Sequence, residues 1–535
     1  MKLLSYALLL ILVAACGAEQ PPGAEQKSVS ADTVLLGGKI LTVDAEFSIA
    51  AAIAIKDSRI IAVGDNETVA NFVDESTKVI ELQGKTVIPG LIDNHMHFIR
   101  AAQRWNLQAR IDGVNSRARA LEIIAEKAAS MEPGEWVMVQ GGWRENQFAD
   151  EPGGFTLEEL DTAVPNNPLF LQITYQTVYA NTLALEAVGV SPSEGAKHSA
   201  EPLVSPAPPY GLFNEQMPIV SNQQLQQNLL DFIHVLNKSG MTSVYDVGRP
   251  PEGDITLLDR MSEAGPLNIR AWHTLKYQAF DAEGADAAVE LVNSSEPNSG
   301  DDYLGLLGLG EHVYLPFFDL PGRTTEPYGD DVVAELMKIS TAAAKRGFHI
   351  HEHTMLDQTV QSFLAPLETL NETIPLAPLR WTLAHVFTIS DESIARAKAL
   401  GLTFAVHSVS MFAPPALQPP VRAIEDSGVV WGLGSDATIV APYQPFITLG
   451  WVVSGKSISG ETVIDEPVTR EEALIAHTRS NAYLMFREDD LGTLEVGKLA
   501  DLVVLDRDYM SVPANEIFDI APILTMVGGR VVFED

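Results

Sequence analysis

The sequence predicts an α/β fold in which a parallel sheet or βα barrel lies between two β-rich chain ends. Short β-branched or alternating runs, separated by Gly-Gly, Asp-Ser and Gly-Asp turns, indicate an all-β module. These runs are Thr33 to Val43, Ala52 to Ile55, Arg59 to Val63 and Lys78 to Glu81. From about Leu91 strands alternate with helical stretches, as in parallel sheets and barrels. Strands and tight turns return at 492–532. The two β-rich ends could therefore form one split domain.

Length and composition are those of a globular protein. The chain has 535 residues, of which 46% are hydrophobic and 20% charged, and this length indicates two or three folding units. Asp and Glu number 71 against 35 Lys and Arg, which gives a net charge of −36. Such a surface repels nucleic acid and anionic membrane surfaces. We expect no nucleic-acid partner, and we attribute the acidity to solubility.

The first 30 residues predict an exported, lipid-anchored protein. A short basic start precedes an apolar run, Leu3 to Ala15, that lacks acids and is too short to span a membrane comfortably. Cys16 follows it and is the only cysteine, so no disulfide can form within the chain. Residues 1–15 resemble a bacterial lipoprotein signal peptide whose cleavage leaves a lipidated Cys16. The alternative is an ordinary cleaved signal with a chance cysteine.

Residues 16–30 are rich in Gly, Ala, Pro and Glu and are then a tether. We expect this anchor to hold the protein in the bacterial cell envelope, facing the periplasm or the outside. Since no acid directly follows Cys16, the resemblance to lipoproteins favours the outer membrane. This lipid is the only membrane contact we expect.

The run from Ile88 to His97 contains the pattern most specific for a metal site. His95 and His97 lie two positions apart after an apolar stretch that a Pro-Gly pair introduces. Positions i and i+2 of a strand point to the same face, so both imidazoles can aim at one cation. Such a pair alone is weak evidence, because many occur by chance on surfaces.

Eight strand-like runs follow one another, with helical stretches such as Asp331 to Lys345 and Asp391 to Leu400 between several of them. Polar residues at the C-terminal ends of barrel strands are typical of active sites. The runs are the one that ends with His95 and His97, Met241 to Val247, Leu267 to Leu275, Leu304 to Leu309, Gly347 to His353, Trp381 to His385, Leu402 to His407 and Val429 to Leu433.

Five motifs, in order along nearly the whole chain, resemble those of the amidohydrolase superfamily. The branch that matches is the amidohydrolase-3 type of large metal-dependent hydrolases, which includes N-substituted formamide deformylase. The motifs are VIPGLIDNHMHF at 87–98, GGWRENQF at 141–148, RWTLAH at 380–385, GLGSDAT at 432–438 and GTLEVGKLADLVVLD at 492–506.

The resemblance implies a (β/α)8 TIM-like barrel with an inserted subdomain and a split β-sandwich domain formed by both chain ends. On this basis residues 31–88 and 486–535 are the two parts of the sandwich, and residues 89–485 are the barrel. Residues 100–237 are too many for one βα connection and are expected to form an inserted subdomain that covers the site.

The resemblance also implies a ligand set at the strand ends. The family pattern His-Ala-Ile-Gly-Asp corresponds to residues 353–357, which selects His353 as a ligand and places His351 one layer deeper, as a hydrogen-bonded histidine of the barrel interior. His385 is the sixth-strand ligand, with a core histidine as the alternative. The implied metal ligands are His95, His97, His353, His385 and Asp436.

Glu311 stands where the family often has a carboxylated lysine that bridges two metals. The stretch 305–312 contains no lysine, and the two oxygens of a glutamate can each bind a divalent cation. Either Glu311 bridges two metals or the site holds one. The alternative makes Glu311 a loop residue and His312 a surface histidine. Zinc is the first metal we expect, with manganese or iron as alternatives.

Asp436 is the implied catalytic residue, in contact with the metal and with the attacking water. A divalent ion lowers the pKa of water and polarises a carbonyl group. Asp436 can take the proton of the water as general base and pass it to the leaving nitrogen as general acid. The alternative is an aspartate that only forms the turn after Gly434 and Ser435.

The expected activity is hydrolysis of a non-peptide C–N bond in a small amide, formamide or cyclic amide. Candidate pocket residues are Trp143, Tyr175, Gln176 and His407, although large aromatic residues of inserted segments also often lie in cores. One alternative is a lipid-anchored binding protein without catalysis, which the missing lysine favours. Another is hydrolysis of other bonds at the same site. A homodimer is left open.

Overall fold

A computed structural model describes residues 30–199, 208–248, 255–263, 265–321 and 328–535. The predicted signal peptide and Cys16 lie outside these residues. No helix in the described ranges is both long and apolar enough to cross a membrane.

The strands of the described chain build four sheets. Their bounds are β1 (Thr33–Leu36), β2 (Lys39–Leu41), β3 (Ile49–Ala50), β4 (Ala52–Lys56), β5 (Arg59–Gly64), β6 (Lys78–Glu81), β7 (Thr86–Pro89), β8 (Leu91–Met96), β9 (Val137–Gln140), β10 (Leu169–Ile173), β11 (Thr177–Ala180), β12 (Lys197–Ser199), β13 (Met241–Asp246), β14 (Arg270–Thr274), β15 (Ser299–Gly300), β16 (Leu304–Glu311), β17 (His349–Thr354), β18 (Thr382–His385), β19 (Thr403–His407), β20 (Trp431–Gly434), β21 (Leu502–Leu505), β22 (Pro522–Val527) and β23 (Arg530–Glu534).

The α-helices lie mainly between the barrel strands and in the inserted segment. Their bounds are α1 (Asn66–Ala70), α2 (Phe98–Ala102), α3 (Arg117–Ala129), α4 (Leu157–Ala163), α5 (Thr182–Ala187), α6 (Pro208–Asn214), α7 (Asn222–Lys238), α8 (Ile255–Glu263), α9 (Ala282–Ser294), α10 (Asp330–Arg346), α11 (Asp357–Asn371), α12 (Asp391–Ala399), α13 (Val421–Ser427), α14 (Pro445–Ser454), α15 (Arg470–His477) and α16 (Arg479–Leu484).

The eight predicted strands form a parallel barrel in chain order, β8-β13-β14-β16-β17-β18-β19-β20, so the predicted TIM-like α/β fold is confirmed. The first and last strands meet where Met96 pairs with Ala437. The amide of Asp436 donates to the carbonyl of His95 at 2.8 Å, and that of His97 to Ala437 at 3.1 Å. The barrel is thus nearly closed beside the predicted ligands.

The two chain ends share one six-stranded sheet, β23-β22-β21-β7-β2-β3. β7 from the N-terminal part pairs antiparallel with β21 from the C-terminal part, and β7 leads through Gly90 directly into barrel strand β8. A Cβ at Gly90 would lie 2.2 Å from Oγ1 of Thr242, so glycine permits this close approach to β13. The second end sheet, β5-β4-β1-β6, contributes Leu35 and Ile53 to a buried cluster that also contains Val87 of the six-stranded sheet.

One run in the N-terminal module differs from its prediction. The run from Thr33 to Val43 is divided into β1 and β2, which belong to different sheets. Gly37 between them has a φ of +69°, a left-handed conformation that glycine adopts without strain. Periodicity could not distinguish one long strand from two short ones at this turn.

The inserted segment builds a four-stranded sheet, β12-β11-β10-β9. Its core includes Trp143, Phe148, Phe155 and Tyr179. The last helix of the segment, α7, packs instead against the barrel, since Phe232 lies in the main core cluster and its ring is 5.8 Å from that of Phe98. The insertion therefore ends on the outer layer of the barrel.

Candidate metal centre

The predicted ligands come together because each one ends, or directly follows, a barrel strand. His95 lies in β8 and His97 caps α2 just after it. Glu311 is the last residue of β16, not a loop residue. The other members of the site are His353 in β17, His385 at the end of β18 and Asp436 after β20.

The carboxylate of Glu311 lies between two groups of histidines. Its Oε2 is 2.7 Å from Nε2 of His95 and 3.4 Å from Nε2 of His97. Its Oε1 faces the other way, 2.8 Å from Nε2 of His312 and 3.8 Å from Nδ1 of His353. The two oxygens of Glu311 are therefore presented to two separate sets of donor atoms.

Asp436 completes the first set. Its Oδ1 lies 3.3 Å from Nε2 of His97 and 3.7 Å from Nε2 of His95. The donor atoms of His95, His97, Glu311 and Asp436 all lie within 4.8 Å of one another, and so do those of Glu311, His353 and His385. Imidazole nitrogens and carboxylate oxygens are the ligands that zinc binds in proteins.

Hydrogen bonds leave suitable lone pairs in the second set. Nε2 of His353 is 2.9 Å from the carbonyl oxygen of Asp319, so this nitrogen carries the proton and Nδ1 is the acceptor. Within the described ranges, neither Nδ1 of His353 nor Nε2 of His385 has a hydrogen-bond partner, although both atoms are buried. Buried nitrogens in this state fit a divalent cation, because a cation would supply the partner that each one lacks.

Asp93 fixes the turn that carries Asp436. Its carboxylate accepts hydrogen bonds from the amide and hydroxyl of Ser435, at 3.1 and 2.5 Å, and from the amide of His95 at 3.0 Å. Burial raises the pKa of Asp93 to about 6, although these hydrogen bonds and His95 lower it. Asp93 thus connects the end of β8, the first barrel strand, with the turn after β20, the last one. The sequence did not reveal this role.

Electrostatics holds Glu311 in its charged form. Burial raises the pKa of Glu311, but His312, His97 and His95 outweigh burial and hold the pKa well below its usual range. Burial and Arg100 oppose protonation of His97, yet Glu311 and Asp436 raise its pKa to about 9. The protonated form of His97 is therefore favoured beside the charged Glu311.

Two histidines lie one layer below the site. Nε2 of His351 is 2.9 Å from Nδ1 of His95, and Nδ1 of His407 is 2.9 Å from Nδ1 of His385. Both deeper side chains are buried, and burial is the largest cause that lowers their pKa values well below normal. His351 thus lies in the deeper layer, where it was expected. His407 was a candidate pocket residue, but it contacts His385 from below and does not line the cavity.

A cavity of about 660 Å³ opens above the site and is lined by His97, Glu311, His353 and Asp436 among others. Of the candidate pocket residues, Tyr175 and Gln176 line it. Trp143 does not. Its side chain is fully buried in the core of the inserted segment, where its ring centre lies 5.5 Å from that of Phe155. Trp143 is therefore a core residue, the alternative given for large aromatic residues of inserted segments.

Three further residues at the site escaped the sequence analysis. His312 lies beside Glu311 with 8% of its side chain exposed, not free on the surface, and its position directly after a strand-end glutamate was a usable signal. Arg144, in the GGWRENQF motif, lines the cavity. The backbone carbonyl of Asp319 accepts a hydrogen bond from Nε2 of His353, 34 residues away, and no local pattern marks Asp319.

Comparisons with known proteins identify a family and structures of similar fold. The model of the amidohydrolase family matches residues 78–533. N-substituted formamide deformylase from Arthrobacter pascens is 25% identical over 94% of this chain and 98% of its own length.

Solved structures share the fold at low sequence identity. An uncharacterized metal-dependent hydrolase from Pyrococcus horikoshii has a TM-score of 0.61 at 20% identity, covering 90% of this chain and 99% of its own. A mutant of atrazine chlorohydrolase TrzN from Arthrobacter aurescens, solved with zinc and atraton, has a TM-score of 0.53 at 16% identity and covers 94% of this chain and 95% of its own.

Proposed function

The chain belongs to the amidohydrolase family, and we propose that it hydrolyses a non-peptide C–N bond in a small amide, formamide or cyclic amide. The observation that carries this proposal is the position of Glu311, whose two oxygens face two sets of histidines at the mouth of a large cavity. The name of the Arthrobacter pascens relative supports a C–N bond as the target.

We propose that Glu311 bridges two divalent cations, with zinc as the first candidate. His95, His97 and Asp436 would hold the first cation, and His353 and His385 the second. Cations held there supply a Lewis acid that acidifies water and polarises the substrate carbonyl. The zinc in the structure of the TrzN mutant supports this choice of metal.

Asp436 is the proposed proton carrier. Its carboxylate lines the cavity next to His97, where it can accept the proton of the attacking water. A C–O bond forms at the carbonyl carbon, and the C–N bond breaks as Asp436 delivers that proton to the leaving nitrogen. The products are a carboxylic acid and an amine. Phe387 and other apolar side chains line the cavity beside these groups.

The test combines metal analysis with a screen of amides. Protein lacking residues 1–16 is loaded with zinc and assayed with N-acyl, N-formyl and cyclic amides. We expect two cations per chain and turnover of at least one amide. In Asp436→Asn, turnover falls at least ~100-fold, a loss typical of a general base. Asp286→Asn is the matched control, since Asp286 is an exposed residue of α9.

Two outcomes would contradict the proposal. Protein that binds no divalent cation would rule out the hydrolase. Full cation binding without turnover of any amide would favour the binding protein or a different target bond.

We also propose that the end sheets form one split β-sandwich domain that supports the barrel. The shared buried cluster and the pairing of β7 with β21 support this arrangement. Lipid anchoring through Cys16 in the bacterial cell envelope remains part of the proposal, on the basis of the apolar run before this sole cysteine.

A further inference from the structure

The cavity above the metal centre contains an arginine that catalysis leaves without a role. Arg144 lines the cavity, and its guanidinium donates to the backbone carbonyl of Trp143 at 3.1 Å and lies 5.6 Å from the ring centre of Phe412. Among the described residues, no carboxylate oxygen lies within 4.0 Å of it, whereas Arg110, Arg117 and Arg380 each form an ion pair with a carboxylate. Arg144 thus presents a positive charge to the cavity and forms no direct ion pair with a described residue.

The backbone fixes Arg144 in this place. The turn before it, Gly141 and Gly142, has φ values of +72° and +75° and packs on the loop after β20. The amide of Gly142 donates to the carbonyl of Ile439 at 3.1 Å, and a Cβ at Gly141 would lie 2.1 Å from that same oxygen. Only glycine permits this approach, which holds Arg144 near the loop that carries Asp436.

The charge of the cavity contrasts with that of the whole protein. The chain carries a net charge of −36, yet the carboxylates among the described lining residues are only Glu311 and Asp436, which belong to the metal centre. Arg100 lies on the same wall, with its guanidinium 2.5 Å from the hydroxyl of Tyr175. An arginine that forms no direct ion pair in so acidic a protein indicates that its partner is an anionic ligand.

We infer that the substrate is an amide that carries a carboxylate, and that Arg144 binds this carboxylate. The inference rests on the proposed amide hydrolysis and specifies its substrate class. A planar guanidinium matches a carboxylate through two parallel hydrogen bonds. Burial lowers the pKa of Arg144 to about 10 despite the nearby Asp436, so the side chain stays charged at neutral pH.

The position of Arg144 also indicates which part of the substrate bears the carboxylate. Asp436, the proposed donor to the leaving nitrogen, is the carboxylate that acts electrostatically on Arg144. The anionic group is therefore assigned to the amine portion of the substrate. The apolar wall that includes Leu315, Phe318 and Phe387 is left for an apolar substituent.

The first experiment compares two substrates that differ in a carboxylate. N-formylphenylalanine and N-formyl-2-phenylethylamine are assayed with zinc-loaded protein. We expect kcat/KM to be about 10–100-fold higher for the anionic compound, the range typical of hydrogen bonds to a charged group. In Arg144→Met this preference falls to about threefold or less, whereas Arg144→Lys keeps part of it, because lysine retains the charge but not the planar fork.

A control variant and two results that would overturn the inference complete this experiment. Arg119→Met removes an exposed arginine from α3 of the same inserted segment and should leave the preference unchanged. Equal preference in wild type and Arg144→Met would overturn the inference, and so would a preference for the neutral compound. Circular dichroism and the melting temperature report whether each variant is folded.

A binding experiment separates this inference from the proposed hydrolysis. Calorimetry measures the affinity of 3-phenylpropionate and 3-phenylpropanol for the metal-free protein, in which no cation can bind the carboxylate. We expect Arg144→Met to lower the affinity for 3-phenylpropionate about tenfold or more and to change the affinity for 3-phenylpropanol much less. Arginine-dependent binding without turnover of any amide would overturn the proposed hydrolysis and keep only the assignment of Arg144 as the residue that binds a carboxylate. Equal affinities in wild type and variant would overturn the inference alone.

Discussion

Nδ1 of His95 lies 2.9 Å from Nε2 of His351, so a proposed metal ligand is supported by a histidine one layer deeper in the barrel. The opposite nitrogen of His95 faces Glu311. One ring thus connects the cavity with the barrel interior, and the deeper partner fixes the orientation of the outer one.

Removal of the deeper histidine should weaken metal binding. In His351→Phe we expect the zinc affinity to fall about 10–100-fold, since His95 loses the hydrogen bond that orients it. His351→Gln, whose amide can still bond to Nδ1, should recover part of this loss. Zinc titration against a chromophoric chelator measures both variants. A matched control is His349→Gln on the same strand, and an unchanged affinity in His351→Phe would remove the supporting role.

The number of cations tests the role of Glu311. Wild type is expected to bind two zinc ions and Glu311→Ala at most one, because both sets of donors lose their shared ligand. Glu311→Gln retains one carbonyl oxygen and should keep a single cation more tightly than Glu311→Ala. Plasma emission spectroscopy after dialysis gives the stoichiometry. A wild type that holds one cation would mean that Glu311 does not bridge.

Metal binding should tighten as the pH rises. The carboxylates of Glu311 and Asp436 raise the pKa of His97 to about 9 in the metal-free protein, so a cation must displace a proton below that pH. Between pH 7 and 8.5 the affinity should rise up to about tenfold per pH unit from this group. Cobalt titration monitored by absorbance measures it, and His97→Gln should flatten the dependence.

The stability of the metal-free protein should change in the opposite direction. The raised pKa of His97 means that its protonated form stabilises the folded state, fully below the ordinary pKa of about 6.5. That contribution is lost as the pH rises through about 9. The melting temperature without metal should therefore fall more between pH 7 and 9 in wild type than in His97→Gln. An equal fall in both would show that His97 does not contribute.

A buried ion pair joins the barrel to the C-terminal part of the chain. Arg270 of β14 donates from Nε and Nη2 to the carboxylate of Asp501 at 2.7 and 2.9 Å, and both side chains are buried. We expect Arg270→Met to lower the free energy of unfolding by ~3–5 kcal/mol, because it leaves Asp501 as an unpaired buried charge. Urea denaturation measures the loss.

A double variant and a surface pair sharpen this test. Arg270→Met with Asp501→Leu should cost less than the single change, since no buried charge is left alone. Arg396→Met breaks the more exposed pair with Glu368 and should cost about 1 kcal/mol or less. Similar costs for Arg270→Met and Arg396→Met would mean that the buried pair does not couple the two parts.

Lipid anchoring has a direct cellular test. In Escherichia coli the full chain should take up labelled palmitate and sediment with membranes, whereas Cys16→Ala should do neither and keep its hydrolase activity. Cys16→Ser is a second variant of nearly the same size. Equal membrane association in wild type and both variants would contradict anchoring through this residue.

The barrel could be predicted because its signals are local. Most barrel strands are short runs that end in a polar residue, and the observed bounds of β13 and β19 differ from the predicted runs by one residue at an end. The placement of Glu311 also followed from its position after the fourth run. These features could be predicted because a strand and the residue at its end are neighbours in the sequence.

The contacts that could not be predicted join distant parts of the chain. The carbonyl of Asp319 accepts a hydrogen bond from His353, 34 residues away, and the carboxylate of Asp93 accepts one from Ser435, 342 residues away. Trp143 was named as a candidate pocket residue although such aromatic residues more often fill a core, and the choice could not be made because its aromatic neighbours come from folding and not from periodicity. Arg144 could not be placed in the cavity before the fold was known, because its position depends on contact with the loop after β20.

The order of the six-stranded sheet has a consequence for biosynthesis. β7, which leads into the strand that carries His95, lies between β2 and β21. While the chain emerges from the ribosome, one edge of β7 has no partner until residues 502–505 have been made. Until then that edge is open to pairing with other chains, a hazard for any β-strand. The six-stranded sheet should therefore be completed after the barrel strands have been made, and shielding of this edge by a chaperone would benefit the yield of folded protein.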